Sequence, residues 1–514
     1  MSHRHAPVRA GRPGRVGRAR RVHPVARVVA VGAVAAAALA GAATAGTPET
    51  GRATTASAGV ADDRDVAVEE TTLTCPGDPY AGQQGAGERQ DPPDVQGEAR
   101  VEDPGTEVLE GLVNPPDGGR PATIDAGPSG GDAEAPGAVE GLADDPVTAR
   151  GTGTTAPGLV ASQVLTADGG SGDGDGDAAG GGGGHGLAVT PCAPPAADLW
   201  LVAGGGQPGR QERLVLTNPG GNPLTADVTF LTADGPADPG AGQDVVVPPG
   251  GRTVLSLDAL SGTGTPQVVH VQSTGGRVTA AISDTWREGL TASGLELVGP
   301  TAAPSTRLVL PGNANGSERG LLLGAPGDQD AVVDVRAVGE QQSRSVAVET
   351  VPAGGIAEVE LPVVPGVHSW VVESDEPVVA GGWARTDPGR GGVRDVAWSV
   401  AAPSVGRLGG AALPALGEGT RSFVEVVAPD DAPVEAEIFV SASGESTTRQ
   451  VRVPAGRSQA VDVGAASAVW VRTEDDGVRS AVLISRPSDA QLTSLPVLPV
   501  PLTVRDVPVV PAAD

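Results

Sequence analysis

Side chains that could act as bases, nucleophiles or metal ligands are few and scattered. Past the basic leader the only histidines are His185, His270 and His368, and no H-E-x-x-H spacing or run of clustered ligands includes them. Zinc sites and Ser/His/Asp relays therefore have no visible source. The chain holds no lysine, which removes the Walker phosphate loop. Gly127-Pro128-Ser129-Gly130-Gly131 spells G-x-S-x-G, but a nucleophile elbow needs a strand before the serine and a helix after it, and the surroundings offer neither. Gly181, Gly183 and Gly186 fit G-x-G-x-x-G inside a polyglycine tract, with the same lack. Asp173, Asp175 and Asp177 begin like a calcium loop, yet Ala178 stands where that loop needs glycine and Gly184 where it needs a bidentate glutamate. Acids abound, so composition leaves room for a hydrolase that uses two carboxylates, but no pair stands out in matching strands. The expectation is a protein without catalytic residues, cofactor or metal.

Cys75 and Cys192 are the only two cysteines. Their redox state depends on the compartment, and the N-terminus addresses that. Eight arginines and no acid lie within residues 1–27, followed by the uncharged run 28–45 (VVAVGAVAAAALAGAATA), which ends in Ala43-Thr44-Ala45. A basic flank, an apolar stretch and an A-x-A site form an export signal. As a helix of about 1.5 Å rise per residue the run would be roughly 27 Å long, close to the hydrocarbon thickness, so cleavage and retention as an anchor both stay open. Arg20-Arg21 is a poor twin-arginine signal, because Val22-His23-Pro24 follows it. In an oxidising compartment Cys75 and Cys192 are expected to form a disulfide; as isolated thiols or metal ligands, neither has a Cys, His or acid at ligand spacing.

The elements that would position these residues are strands. Aromatics make up only 2% of the chain, so cores must be aliphatic, and valine-rich cores favour pleated sheets. Residues 66–74 (VAVEETTLT) alternate like a strand leading into Cys75. Residues 76–191 are dense in Gly, Pro and acids and sustain no period, so they are expected to form a disordered acidic insert, a spacer or repulsive brush.

Beyond Trp200 an internal repeat appears. Strand-like runs open each copy at 213–219 (RLVLTNP), 320–326 (GLLLGAP) and 423–429 (FVEVVAP), and second runs follow at 226–231 (ADVTFL), 331–337 (AVVDVRA) and 434–440 (VEAEIFV). Near-identical corners come next at 247–251 (VPPGG), 351–355 (VPAGG) and 453–457 (VPAGR). Proline sets φ for the first central turn position and glycine suits the exit, so V-P-x-G marks a β-turn. Further short strands follow, and Pro/Leu-rich pieces at 307–311, 410–414 and 495–502 read as links. Six or seven strands in about a hundred residues is the pattern of an immunoglobulin-like sandwich, with a barrel or a propeller of two blades per repeat as the rival architecture.

The expected architecture is all-β. It comprises residues 1–45 as signal peptide or anchor, 46–75 as a short segment with one strand, 76–191 as the insert, and three tandem sandwiches at 192–303, 304–412 and 413–514. His270, Trp370 and Trp470 are expected at one repeated position of the fifth strand and inside the core, because so few aromatics must fill it. Trp286 and Trp383 are expected at domain edges, packed on the next repeat.

The leader, Thr74-Cys75-Pro76-Gly77, the second cysteine shortly before Trp200, and 214–219 (LVLTNP) ahead of V-P-P-G-G resemble an uncharacterised family of exported actinobacterial proteins of the DUF5719 type. The resemblance implies an envelope location and brings no catalytic residues. The formal net charge of -28 repels nucleic acid, which is excluded as a partner. The expected function is that of a non-catalytic, exported scaffold or adhesion and binding protein of the cell envelope, with an envelope protein or polysaccharide as partner. It would touch the membrane only through the N-terminal segment, if that is uncleaved. A carbohydrate-recognition module is the runner-up, and a hydrolase the third reading.

Overall fold

The computed structural model describes residues 64–506 apart from 81–94, 128–134, 143–144, 169–183, 205–207, 238–239, 262–265, 314–315, 367, 390–391, 418 and 430. The leader and its apolar run, Ser129 of the elbow-like motif and the acids Asp173, Asp175 and Asp177 lie outside these residues. The chain divides at Asp62/Asp63, and the described residues belong to the second unit.

The second sandwich shows the plan. One sheet pairs Asp198–Ala203 with Gln267–Thr274, then Leu224–Thr232, then Val245–Val247; the other pairs Gly251–Ser256 with Arg210–Asn218, then Thr279–Glu288, then Thr291–Val298. In order of sequence, the first strand pairs the sixth, the sixth the third and the third the fourth. In the facing sheet the fifth pairs the second, the second the seventh and the seventh the eighth. Leu224, Ala226, Val228 and Phe230 alternate inward from the third strand, which is the period-2 burial a two-layer core requires.

The same order recurs in Ser305–Asn313 to Val396–Val400 and in Leu408–Ala412 to Gln491–Pro496. In the third sandwich the sixth and seventh strands fuse into His368–Arg385, which crosses from one sheet to the other. The V-P-x-G corners behave as read: Gly354 and Gly456 sit at φ +66 and +61, and the N–H groups of Gly355 and Arg457 donate to the carbonyls of Pro352 and Pro454. The Pro/Leu-rich pieces are not links. The first two lie in the opening strands Ser305–Asn313 and Leu408–Ala412 of the next sandwich, so the expected boundary at 412 moves to before Leu408.

The expected count of three sandwiches is corrected to four among the described residues, and with it the disordered insert. Glu70–Cys75 pairs Val147–Thr152, then Thr123–Asp125, then Ala135–Pro136, facing a sheet of Ala138–Glu140, Gln96–Glu102, Val160–Asp168 and His185–Pro191. This is the same strand order again, within residues expected to stay solvated. Its strands are as short as two or three residues, too short for a period to register, and its core leans on Ala99, Ala122, Ala149 and Ala161. The missing apolar area comes from neighbours: Val108 and Leu109 of the short helix Thr106–Leu109 pack on Phe439 and Trp470 of the fourth sandwich.

The four sandwiches close into a ring. The eighth strand of the first packs on those of the second and fourth, and the eighth strand of the third packs on the same two. The first and fourth sandwiches meet at a seam. There the Pro501 carbonyl accepts from the Gly158 N–H (2.9 Å), the Leu502 carbonyl accepts from the Val68 N–H (3.1 Å), and Thr503–Asp506 pairs antiparallel with Arg64–Ala67.

Candidate functional site

Each eighth strand is the edge of its sheet, so half of its N–H groups point away from any partner. On a surface water would satisfy them, but here four such edges face one another on a buried axis. Asp395, fully buried just ahead of Val396–Val400, meets this need. Its Oδ2 accepts from the N–H groups of Leu187 (3.0 Å) and Leu492 (2.9 Å), and its Oδ1 from those of Leu295 (3.2 Å) and Val396 (2.9 Å). Those four residues occupy equivalent positions in the four eighth strands. One carboxylate thus binds every sandwich.

The positions matching Asp395 are Gly186, Gly294 and Gln491. A Cβ on Gly186 would lie 2.6 Å from Asp395 Oδ1, and one on Gly294 would lie 2.8 Å from the Val396 nitrogen; both glycines also have φ near +150. Gln491 Nε2 donates to the Gly186 carbonyl (3.2 Å).

One step along the axis Glu296 and Thr493 repeat the arrangement. Glu296 accepts from the N–H groups of Leu297 (2.9 Å) and Trp398 (3.3 Å) and from the Thr493 hydroxyl, while the Val189 N–H donates to Thr493 Oγ1 (3.3 Å). Two steps further, two of the four positions are Pro191 and Pro496, which have no N–H to satisfy. Burial pushes Asp395 up to about 8, with its four N–H donors pulling the other way, and lifts Glu296 well above the usual carboxylate range. The cavity beside this layer is about 10 Å³, room for about one water. Both carboxylates are enclosed and their oxygens engaged, so the arrangement suits cohesion and offers a substrate no approach.

The other joints follow the same logic. Between the second and third sandwiches Arg210 Nε donates to Asp284 Oδ1 (2.8 Å), Trp398 Nε1 donates to Asp284 Oδ2 (2.9 Å), and the guanidinium groups of Arg210 and Arg385 lie over Trp286, 5.1 and 3.9 Å from its ring centre. Between the third and fourth, buried Glu425 accepts from the Gly312 N–H (2.6 Å), and burial pushes it up to about 7. These acids were missed in the sequence. The available signal was a lone acid inside an apolar strand, as in 282–286 (ISDTW), 295–298 (LELV) and 423–427 (FVEVV).

Cys75 and Cys192 form the expected disulfide, at a sequence separation of 117. The bridge does not loop out a coil: it ties the first strand of the first sandwich to the end of its eighth. Thr74-Cys75-Pro76-Gly77 continues into the second sandwich. The Pro76 carbonyl accepts from Thr217 Oγ1 (3.0 Å), Gly77 exchanges two hydrogen bonds with the Gln163 side chain (2.7 and 2.8 Å), and the Tyr80 hydroxyl lies 3.0 Å from Thr285 Oγ1.

The aromatic position expected in every repeat is one residue out of register. Trp370 lies in the core of its own sandwich. Trp470 is buried on the outer face, where its Nε1 donates to the Gly158 carbonyl (2.9 Å), and His270 stacks on Trp200 at 3.9 Å on an outer face, with Nε2 3.1 Å from Asp198. Trp286 and Trp383 pack at the joint between repeats, as expected. His185 and His368 are buried in different sandwiches, and burial lowers both below the usual imidazole range. Among the described residues no group of three or more His, Cys, Asp or Glu could hold a metal. The larger concavities are open: a groove of about 830 Å³ at the seam, lined by Glu110, Leu112, Glu437 and Arg472 among others, and one of about 620 Å³ beside Tyr80, Glu98, Glu140 and Leu142.

Fold and site together define an all-β protein of four antiparallel sandwiches closed around buried carboxylates. The chain belongs to the family of unknown function DUF5719, which matches it over residues 129–464. No curated protein and no solved structure matches it.

Proposed function

We propose that the protein is a non-catalytic, exported scaffold of the cell envelope that presents its outer sandwich faces to an envelope protein or polysaccharide. The observation that carries this reading is the use of the strongly perturbed acids: Asp395, Glu296 and Glu425 all accept backbone N–H groups at joints and open onto no cleft. Perturbed acids in a cleft would favour an enzyme; perturbed acids inside joints favour a rigid frame. Export is supported by the disulfide, and among the described residues no helix is long and apolar enough to cross a membrane. The test is retention of the purified protein on isolated envelope fractions, run beside a broad hydrolase screen. Reproducible turnover, lost on changing one acid, would overturn the reading.

A second reading, carbohydrate recognition, draws on one surface. Trp200 and His270 stack in parallel beside Asp198, which also accepts from Gln272 Nε2 (3.2 Å). A flat ring with flanking polar groups suits a sugar face. Retention on purified envelope glycan that is lost in Trp200→Ala would favour it, and no retention of the native chain would remove it.

A further inference from the structure

We propose that Asp395 is the lock of the ring, without which the first and fourth sandwiches part at the seam while each sandwich keeps its own fold. Three of the four joints are covalently continuous. The chain passes from Pro191 to Asp198, from Val298 to Ser305 and from Val400 to Leu408 between consecutive sandwiches, so those neighbours stay close whatever happens at the axis. The seam has no such link. It is held by the Trp470–Gly158 bond, by the main-chain bonds of Gly158 to Pro501 and of Val68 to Leu502, by Arg472 Nη1 donating to the carbonyls of Val108 and Glu110, by the apolar contacts of Val108 and Leu109 with Phe439, by Leu187 and Val189 on the core of the fourth sandwich, and by the pairing of Arg64–Ala67 with Thr503–Asp506. A two-stranded sheet of four residues a side is marginal by itself.

Asp395 belongs to the third sandwich, yet its Oδ2 accepts from Leu187 of the first and Leu492 of the fourth, while Oδ1 serves the second and third. At the axis that one oxygen takes an N–H from both sides of the seam, beside the Val189 N–H to Thr493 Oγ1 bond (3.3 Å) and the Gln491 Nε2 bond to the Gly186 carbonyl (3.2 Å). No neighbour can replace it: Gly186 and Gly294 carry no side chain, and Gln491 is turned to the carbonyls of Gly186 and Ala167. Its four N–H donors come one from each sandwich, so its loss strikes the assembly more than any one part.

The test uses Asp395→Asn in the full chain with the disulfide intact, at pH 9, where the Asp395 carboxyl is ionised. Asparagine keeps the shape but turns an N–H₂ toward two of the four donors. Spin labels on Glu110→Cys and Glu474→Cys span the seam, and labels on Asp234→Cys and Asp328→Cys span the linked second and third sandwiches. Both native cysteines are bridged, so no other thiol among the described residues takes the label. The lock predicts a seam distance distribution at least twofold broader in the variant, with the linked pair unchanged. An unchanged seam overturns it, and so does loss of the linked-pair distance, which would mean that the sandwiches need Asp395 to fold. In the unaltered chain the amides of Leu187, Leu295 and Leu492 should exchange with solvent at rates within about twofold of one another, as one opening event. Independent rates would also overturn the proposal.

Discussion

The indole Nε1 of Trp470 donates to the main-chain carbonyl of Gly158 at 2.9 Å, joining the fourth sandwich to the first across 312 residues of sequence. The tryptophan is buried against Val160, Leu109 and Phe439, so this one side chain gives the seam both a polar and an apolar contact. Trp470→Phe keeps most of the packing but leaves the carbonyl without its donor, at a cost of about 1–3 kcal/mol. Trp470→Ala adds a cavity and should cost about 3–5 kcal/mol. Urea unfolding of both variants checks the order, and an alanine variant no weaker than phenylalanine would contradict it.

Gly294 should tolerate no side chain. Its φ is +151, and a Cβ would lie 2.5 Å from Val396 Cγ1 and 2.8 Å from the Val396 nitrogen at the point where two eighth strands meet. Gly294→Ala is expected to lower stability by about 2–4 kcal/mol, the sum of strain and a forced shift at the axis. Gly289 also has a positive φ but open space around it, so Gly289→Ala should cost only about 1 kcal/mol. Thermal unfolding of the pair separates conformational strain from crowding.

The disulfide holds the first sandwich, whose core is the poorest in large side chains. In the chain-entropy account a crosslink spanning 117 residues is worth roughly 4–5 kcal/mol. Replacing Cys75 and Cys192 by alanine, or adding reductant, should lower the unfolding midpoint accordingly. Amide protection should fall first in Gln96–Glu102 and Val160–Asp168, while Leu224–Thr232 of the second sandwich keeps its own.

The buried carboxylates set a pH dependence with a definite sign. Asp395 and Glu425 are pushed up to about 8 and about 7 in the folded chain, against about 4 in the unfolded one. The folded state holds protons that the unfolded state has already released, so their contribution is greatest below about pH 4 and declines as pH rises to about 8. His185 and His368 act oppositely, but only below about 6.5, because burial lowers them. Between pH 6.5 and 9 the unfolding midpoint should therefore fall, and Asp395→Asn should flatten that fall. A midpoint that rises over this range would contradict the assignment.

Much of the fold was legible because it is local. The V-P-x-G corners, the alternation in 226–231 and 434–440 and the scarcity of aromatics each follow from a few adjacent residues, and they led to strands, turns and aliphatic sandwich cores. The same locality explains the errors. Thr123–Asp125 and Ala138–Glu140 are too short to show a period, so the first sandwich read as coil. Trp370 and Trp470 read as equivalent because their flanks match, yet a shift of one residue sends one ring to the core and the other to the seam.

By itself, the sequence determined that this chain is built of short strands, that its two cysteines pair and that no familiar catalytic motif is present, since each of these depends on residue type and spacing. Only the tertiary structure decided that there are four sandwiches, that they close on themselves and that Asp395 is the residue they share. The donors of that carboxylate come from positions 187, 295, 396 and 492, and no pattern along the chain marks residues that become neighbours only when four sheet edges, each needing partners for its N–H groups, meet away from water.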